Sequence, residues 1–268
     1  SAASDVYKRQ VLAIISSRFS VFDHDDVRKM VQRDTMEIEK WQLEKTAVFI
    51  HMPETDKSYQ FLSALFFHTI FEVSNKTADS IIQGTHPTAT IEALLHLQIY
   101  ADETGQIGQV PYLPEEIAVV RSREISIKLM IQSMSQLQQL YGDKNTTTIL
   151  NNCGAVLYLG SNDPDTLKSM ADRTGPQTIQ QTKTSKSYGQ HGSSSESTDS
   201  LKRELLNYHE VATVAIDEAL LYLNRQNVFK DKKYRLETHP QYENHADGPF
   251  SPNWFTSVSY THLRAHET

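Results

Sequence analysis

Residues 94–132 read LLHLQIYADETGQIGQVPYLPEEIAVVRSREISIKLMIQ, and this stretch decides the fold. Its apolar run at 94–101 predicts a buried strand, and the segment that begins at Pro114, PEEIAVVRSRE, is typical of a helix. A second apolar run, at 127–132, predicts another strand. Strands that alternate with helices form parallel sheets, because the helix carries the chain back to the starting edge. Ligands bind at the carboxyl edge of such a sheet, so the turn after Ala101 is the first candidate site.

The same alternation continues on both sides of this stretch. Upstream, TAVFIHMP at 46–53 predicts a buried strand stopped by a proline, and 58–73 predicts a buried helix. The charged segment 24–44 predicts short surface helices, and the Ser/Thr/Gly-rich segment 182–200 predicts a mobile loop. The remaining predicted elements are short helices at 135–141 and 146–151, a strand at 155–160, a helix from Asp163-Pro164 to about Thr174, a helix at 200–214 and a strand at 219–226. Together they predict an α/β protein with a mostly parallel sheet covered by helices on both faces.

Composition limits the classes of protein to which the chain can belong. It has 268 residues, of which 38% are hydrophobic and 22% charged, as in an ordinary globular protein. A formal net charge of -7 argues against a uniformly basic protein that coats nucleic acid. The single cysteine, Cys153, excludes an internal disulfide bond, and no run of about 18 apolar residues is present to span a membrane.

Several common chemical motifs are absent from the sequence. The eleven histidines show no zinc-site spacing, and there is no G-x-S-x-G or GxGxxG motif. There is also no G-x-x-x-x-G-K-[ST] motif, so the chain has no phosphate-binding loop of its own.

Asp102 and Glu103 directly follow the first strand of the opening stretch. Neighbouring strand residues point to opposite sides, so these carboxylates cannot converge as the separated pair of a glycosidase does. The arrangement suits a nucleotide hydrolase, in which one carboxylate supports Mg²⁺ and its neighbour orients the attacking water. The residues alone leave open a second interpretation, a polar strand end that begins a turn.

Three polar residues near the second strand are further candidates. Gln132 ends that strand and could contact a γ-phosphate or the same water, or it could cap the strand end. Arg121 and Arg123 precede the strand. They are either solvated cations beside helix-end carbonyls or an arginine finger that reaches the nucleotide of a neighbouring subunit.

Several segments, in order along the chain, resemble the TraG-type coupling proteins of type IV secretion and conjugation. The acidic turn, ADETGQIGQVP, resembles a segment usually written DEFANIGQIP in that family. The other matching segments are KTAVFIHMPETDKSYQFLSALFFHTIFE, VVRSREISIKLMIQSMSQLQQLYGD, ILNNCGAVLYLGSNDPDTLKSMADRTGPQTI, KRELLNYHEV and DKKYRLETHP. The resemblance extends over roughly residues 22–245.

This resemblance implies a RecA-like fold of the P-loop NTPase class, here an incomplete sheet that lacks the Walker A unit. It implies a homo-hexameric ATPase that uses ATP and Mg²⁺ to drive single-stranded DNA and its bound relaxase through type IV secretion channel proteins. Carried over by position, Asp102 supports the metal, Glu103 activates water and Gln132 matches a sensor glutamine. Arg123 best matches an arginine that acts in trans, and Arg121 is the lesser candidate.

The resemblance also divides the chain into domains. Residues 11–44 resemble the end of an inserted all-α domain, and 45–256 resemble the C-terminal part of the motor domain. Residues 1–10 and 257–268 look like translated sequencing-linker sequence, so we expect an internal piece whose phosphate loop and membrane helices lie upstream. The parent protein is then expected at the cytoplasmic face of the bacterial plasma membrane. The piece itself should be soluble, marginally stable and inactive alone.

One departure from the family supports an alternative function. Thr104-Gly105-Gln106 replaces the usual Phe-Ala-Asn after the acidic pair, which removes an aromatic packing anchor. A catalytically degenerate homologue that docks relaxosome or channel proteins is therefore the alternative to an ATPase. Another RecA-like secretion or packaging motor is a third alternative.

Overall fold

The structure, a computed structural model, describes residues 2–52, 59–186, 194–246 and 251. Helices and strands alternate along the chain, so the predicted α/β class is confirmed. The helices are α1 (Ala2–Phe19), α2 (Asp25–Val31), α3 (Gln60–Ile82), α4 (Thr104–Ile107), α5 (Leu113–Val119), α6 (Met134–Asn152), α7 (Pro164–Arg173) and α8 (Tyr208–Ala212). The strands are β1 (Leu97–Ala101), β2 (Ile125–Leu129), β3 (Ala155–Tyr158), β4 (Pro176–Lys186), β5 (Ser194–Glu204), β6 (Glu218–Leu223) and β7 (Phe229–Lys232).

The parallel pair predicted from residues 94–132 is present as β1 and β2. Their register pairs Leu97 with Ile125 and Ala101 with Leu129. One face of the pair contributes to a core that α3, α5 and α6 complete, and Phe71 of α3 is its largest fully buried side chain. The two carboxyl ends therefore lie side by side on a rigid support.

Two helices differ in extent from the prediction. Helix α3 continues past the predicted 58–73 to Ile82, because buried side chains still recur on its inner face as far as Ile81. Helix α6 is interrupted at Gly142, whose φ of 74° lies in the left-handed region that glycine tolerates. It therefore consists of two helical pieces, as the predicted pair of short helices requires.

The predicted buried strand at 46–53 is wrong for the residues that the structure describes, 46–52. They form no strand ladder, and Phe49 is 95% exposed. A strand needs a hydrogen-bonded neighbour, and within the described ranges β1 pairs only with β2. Residues 46–50 and Met52 instead line one wall of an apolar cavity of about 590 Å³, with β1 on another wall.

A second sheet, with the order β3-β6-β7, is antiparallel throughout. The expectation of parallel strands holds for β1 and β2 but is wrong here. The turn at 224–226 returns the chain directly, so the unpredicted strand β7 pairs antiparallel with β6, and β3 also pairs antiparallel with β6. Helices α7 and α8 cover one face of this sheet. Tyr222 anchors that face: its hydroxyl donates to the Met170 carbonyl at 3.0 Å, and burial raises its pKa to about 12.

Strands β4 and β5 form a long hairpin where the sequence predicts a loop at 182–200. The loop prediction is wrong for 182–186 and 194–200, and 187–193 lie outside the described residues. The predicted helix at 200–214 is likewise reduced to α8, because its first part pairs with β4. Threonine favours strands, so the threonines of this segment are compatible with the hairpin. The many serines made the same segment resemble a loop.

The first turns of α6 and α7 are joined by a network centred on Asp163, which confirms its predicted capping role. Its carboxylate accepts hydrogen bonds from the Thr166 amide at 2.9 Å, the Thr166 hydroxyl at 2.7 Å and the Ser135 hydroxyl at 2.5 Å. The Thr166 hydroxyl in turn accepts the Met134 amide at 2.8 Å. Partial burial opposes ionisation, but the bonds from Ser135 and Thr166 outweigh it and lower the pKa of Asp163.

We expect Asp163→Ala to lower the free energy of unfolding by about 1–2 kcal/mol near neutral pH, because it removes the cap and the link to α6. Asp163→Asn is the control, since asparagine also caps helices but carries no charge. A carboxylate with a lowered folded pKa stabilises above its unfolded pKa, near 4, and loses that contribution as pH falls through the folded value. In urea titrations, the wild type should therefore lose its advantage over Asp163→Asn below about pH 4. A constant difference would contradict the assignment.

The N-terminal region is helical. Residues 11–44 include the second half of α1 and all of α2, and α2 agrees with the predicted short helices at 24–44. Residues 2–10 continue α1 without a break, and 257–268 lie outside the described residues, so the foreign origin of both ends stays a prediction. No helix in the described ranges is both long and apolar enough to cross a membrane.

Candidate functional site at the carboxyl edge of the parallel strands

The acidic pair occupies a tight turn that is tied to both strands. The Met130 amide donates to the Ala101 carbonyl at 3.0 Å, and the Thr104 amide donates to the Met130 carbonyl at 2.9 Å. Thr104 is buried, and its hydroxyl donates to the same Ala101 carbonyl at 3.0 Å. These bonds hold both ends of the Asp102–Glu103 segment, so strand β2 orders the turn that follows strand β1.

The turn presents the two carboxylates in different ways. Glu103 has φ 47° and ψ 54°, a left-handed conformation that costs a residue with a Cβ roughly 1–2 kcal/mol. Asp102 turns its Oδ1 back to accept the Glu103 amide at 3.0 Å, and both side chains are exposed. Strained backbone at the carboxyl edge of a parallel pair is typical of functional sites.

The residues present fit a magnesium ion held in part by Asp102. Mg²⁺ is bound through one or two carboxylates together with waters and phosphate oxygens. The second carboxylate oxygen of Asp102 accepts no hydrogen bond from any described residue, so it is available to such an ion. The described ranges contain no group of three or more His, Cys, Asp or Glu that could hold a metal by itself. Asp102 could therefore be only one ligand among several.

Gln132 lies on the same edge as the acidic pair. Strand β2 ends at Leu129, so Gln132 does not end the strand as expected but lies in the exposed link to α6. Adjacent strands are about 4.8 Å apart, and the register sets Ala101 beside Leu129. Gln132 follows that strand end by three residues, and none of the hydrogen bonds among the described residues joins it to Asp102 or Glu103.

Arg123 lies at the opposite, amino edge of the sheet. Its guanidinium forms an ion pair with Asp79 of α3 at 2.9 Å and also donates to the Val119 carbonyl at 3.2 Å. Arg121 precedes it on the same 3-10 helix, Val120–Arg123, and is exposed, without an ion-pair partner among the described residues. Neither arginine is therefore brought to the acidic pair of its own chain.

The structure adds one residue to the edge that the sequence interpretation missed. The Gln136 amide group packs against Gly105, two positions after Glu103. A signal was present in the sequence, because Ser133 and Gln136 have the spacing of a capping box, S-x-x-Q. The Ser133 hydroxyl oxygen accepts a hydrogen bond from the backbone N–H of Gln136, with an N···O distance of 3.2 Å. This bond caps the first turn of α6.

A second polar constellation lies on the solvent face of β1 and β2. His96 contacts Glu124 through Nδ1 at 3.0 Å and Ser126 through Nε2 at 3.0 Å. This order of groups is that of a serine hydrolase. However, His96 and Glu124 are exposed, and the Ser126 backbone belongs to the β1–β2 ladder, so it cannot form an oxyanion hole. The row is a set of cross-strand surface contacts.

The fold and this edge define an α/β protein with an acidic, magnesium-compatible turn at the carboxyl ends of parallel strands. Residues 3–249 match the family described as type IV secretory system conjugative DNA transfer, and the chain belongs to that family. A conjugal transfer protein TraG of Rhizobium radiobacter is 28% identical over 123 residues, which are 45% of this chain and 19% of that protein. The coupling protein VirD4 of Bartonella quintana is 29% identical over 127 residues, 47% of this chain and 20% of that protein.

The chain thus spans about a fifth of the length of these relatives. Among solved structures, the bacterial conjugative coupling protein TrwBdeltaN70 is 16% identical with a TM-score of 0.48, covering 66% of this chain and 38% of that one. Plasmid coupling protein TrwB in complex with ADP and Mg²⁺ is 16% identical with a TM-score of 0.47, covering 66% and 38%.

Proposed function

We propose that the chain is part of the motor domain of a coupling protein that hydrolyses ATP to drive conjugative DNA transfer. The observation that carries this proposal is the exposed, strained Asp102–Glu103 turn at the carboxyl end of a parallel strand. Membership in the conjugative DNA transfer family supports it. The absence of a phosphate-loop motif from the sequence means that the remaining half of the site must come from elsewhere in a longer protein.

Each residue of the edge has a chemical task in this proposal. Bound Mg²⁺ and ATP supply a phosphoryl group whose charge the metal partly neutralises. Asp102 would help to hold the ion through its second carboxylate oxygen. Glu103 would orient a water and take its proton as the water oxygen bonds to the γ-phosphorus and ADP leaves. Gln132, on the same edge, contacts that water or the γ-phosphate.

The trans-acting arginine is Arg123 by resemblance, but its ion pair with Asp79 must open before it can reach a neighbouring subunit. The side chains of this pair are only 23% and 39% exposed, so opening it should cost more than opening a fully exposed pair, which contributes about 0–1 kcal/mol. Arg121 needs no such change, because its side chain is already exposed. We propose Arg123 for this role because its position matches the family better, and we keep Arg121 as the second candidate.

The proposal extends to a longer protein that contains this chain, because the matched relatives are much longer than the chain. Such a protein would form a homo-hexamer, so that the arginine of one subunit meets the nucleotide of the next. It would bind single-stranded DNA and a relaxase, pass them to type IV secretion channel proteins, and be anchored at the cytoplasmic face of the plasma membrane.

The magnesium role is tested by Asp102→Asn in the full-length protein. Asparagine keeps an oxygen that can accept the Glu103 amide but removes the charge that attracts the ion. The Mg²⁺ concentration that gives half-maximal ATP hydrolysis should rise about tenfold or more. Asp143→Asn, an exposed aspartate of α6, is the matched control and should leave it unchanged. An unaltered Mg²⁺ dependence in Asp102→Asn would remove Asp102 from the site.

The altered Thr104-Gly105-Gln106 loop supports a second candidate function, a docking module without catalysis. The two functions differ in a single measurement. A full-length wild-type protein that binds its relaxase but hydrolyses no ATP would establish the docking module and exclude the motor.

A further inference from the structure

Gly105 and Gln136 form a close contact between the acidic turn and α6. A Cβ atom added to Gly105 would lie 2.2 Å from Nε2 and 2.3 Å from Cδ of Gln136. No carbon atom can approach so closely, so an alanine at this position would displace the flexible Gln136 side chain from its place over the turn. The Gln136 side chain does not accept the backbone N–H of Ser133, as it would in a complete capping box. It packs against Gly105 of the acidic turn instead.

The amide oxygen of Gln136 is buried and has no hydrogen-bond partner among the described residues. Buried amide oxygens are nearly always hydrogen-bonded, so an acceptor in this position calls for a donor. The oxygen lies beside the segment that follows Asp102 and Glu103, whose own side chains can only accept when ionised. The oxygen has almost no accessible surface, so a donor can reach it only if the turn or the Gln136 side chain moves.

We propose that Gln136 is a positioning residue for the acidic pair. Its amide covers Gly105 and fixes the turn, and its Oε1 accepts a hydrogen bond from a water that Asp102 or Glu103 orders when nucleotide binds. The role rests on the proposed ATPase function. It also explains the glycine at 105: the small residue admits the side chain that orients the site.

The contact connects the site to the rest of the chain. Gln136 lies in the first turn of α6, and in the same turn Ser135 donates to the Asp163 cap of α7. The acidic turn is thereby joined to α6 and α7 through side chains in direct contact.

The contact is tested first by urea unfolding of the 268-residue chain. Gly105 has helical backbone, so alanine should favour α4 when no side chain opposes it. Gly105→Ala should lower the urea midpoint in the wild type, because its Cβ meets Gln136. In a Gln136→Ala background the same change should leave the midpoint unchanged or raise it. An equal loss in both backgrounds would show that the two residues do not touch.

The positioning role is tested by ATP hydrolysis of the full-length protein. Gln136→Met keeps the length of the side chain but removes the acceptor oxygen. It should lower kcat on the order of 10-fold to 100-fold with little change in KM, as expected when a reacting group is misplaced. Gln139→Met, on the exposed face of α6, is the control and should behave as the wild type.

The outcomes separate this inference from the function on which it rests. A Gln136→Met protein with wild-type kcat would reduce Gln136 to a packing residue. A wild-type protein without ATP hydrolysis would overturn both the motor function and the positioning role. In that case the urea measurements would still decide whether the Gly105–Gln136 contact exists.

Discussion

Replacing Glu103 with glutamine is expected to lower ATP turnover of the full-length protein by about 10²–10⁴-fold, the usual contribution of a general base. The change replaces one carboxylate oxygen with an amide nitrogen and keeps the length of the side chain. The left-handed backbone conformation at position 103 costs glutamate and glutamine about the same free energy, so the turn should keep its conformation in the variant. The loss would therefore report on proton transfer and water orientation rather than on folding.

Nucleotide affinity should be retained or slightly increased in Glu103→Gln, because a negative charge near the phosphates is removed. Binding is measured by isothermal titration with ATP and Mg²⁺, and turnover by phosphate release. Glu115→Gln is the matched control, since Glu115 is an exposed glutamate in the first turn of α5. Equal turnover in Glu103→Gln and the wild type would exclude Glu103 as the base.

The largest effect on stability is expected for Phe71→Ala, which should lower the free energy of unfolding by about 3–5 kcal/mol. Phe71 is 1% exposed at the centre of the core beneath β1 and β2, so its loss leaves a cavity that the surrounding helices cannot fill. Typical domains are stable by about 5–15 kcal/mol, and the variant should therefore be close to unfolding at physiological temperature.

Phe49→Ala is the matched control, because the same side chain is 95% exposed there. It should change the free energy of unfolding by no more than about 0.5 kcal/mol. Urea unfolding followed by circular dichroism measures both variants under the same conditions. A loss at Phe49 as large as that at Phe71 would show that residues 46–52 form the buried strand that their hydrophobicity predicts.

The segment 46–52 shows why the prediction of that strand failed. Its apolar run satisfies the pattern of a buried strand, but a strand is stable only when a neighbour accepts its backbone hydrogen bonds. No local property of TAVFIHMP indicates whether such a neighbour is available. In contrast, the two strands of the stretch 94–132 and their parallel direction were predicted correctly, because the helical segment between them lies within the same stretch, although β2 ends at Leu129 rather than at the predicted residue 132.

The hairpin of β4 and β5 and the strand β7 illustrate the same limit. Leu201 pairs with Ile179, and Phe229 pairs with Leu221. Each pairing depends on the register of two segments rather than on the composition of either. The segment from 200 to 204 therefore extends as a strand although its residues favour a helix equally well.

The candidate site divides along a similar line. Asp102 and Glu103 could be located from the sequence, since an acidic pair after an apolar strand needs only the local pattern and the rule for carboxyl edges. Two other contacts could not be located from the sequence, because each joins residues that are distant along the chain. They are the ion pair of Arg123 with Asp79 and the contact of Gln136 with Gly105. The catalytic roles themselves remain predictions.

The sequence by itself determined the α/β class, the parallel pair β1–β2 and the position of the acidic turn, because these follow from local hydrophobic period and chain order. Only the tertiary structure decided which strands pair antiparallel, which apolar run stays exposed and which side chain lies over the turn. Those features depend on contacts between distant segments, whose free energy no single segment encodes. The acidic turn was thus predicted from the residues around it, whereas its support by β2 and α6 became visible only in the folded chain.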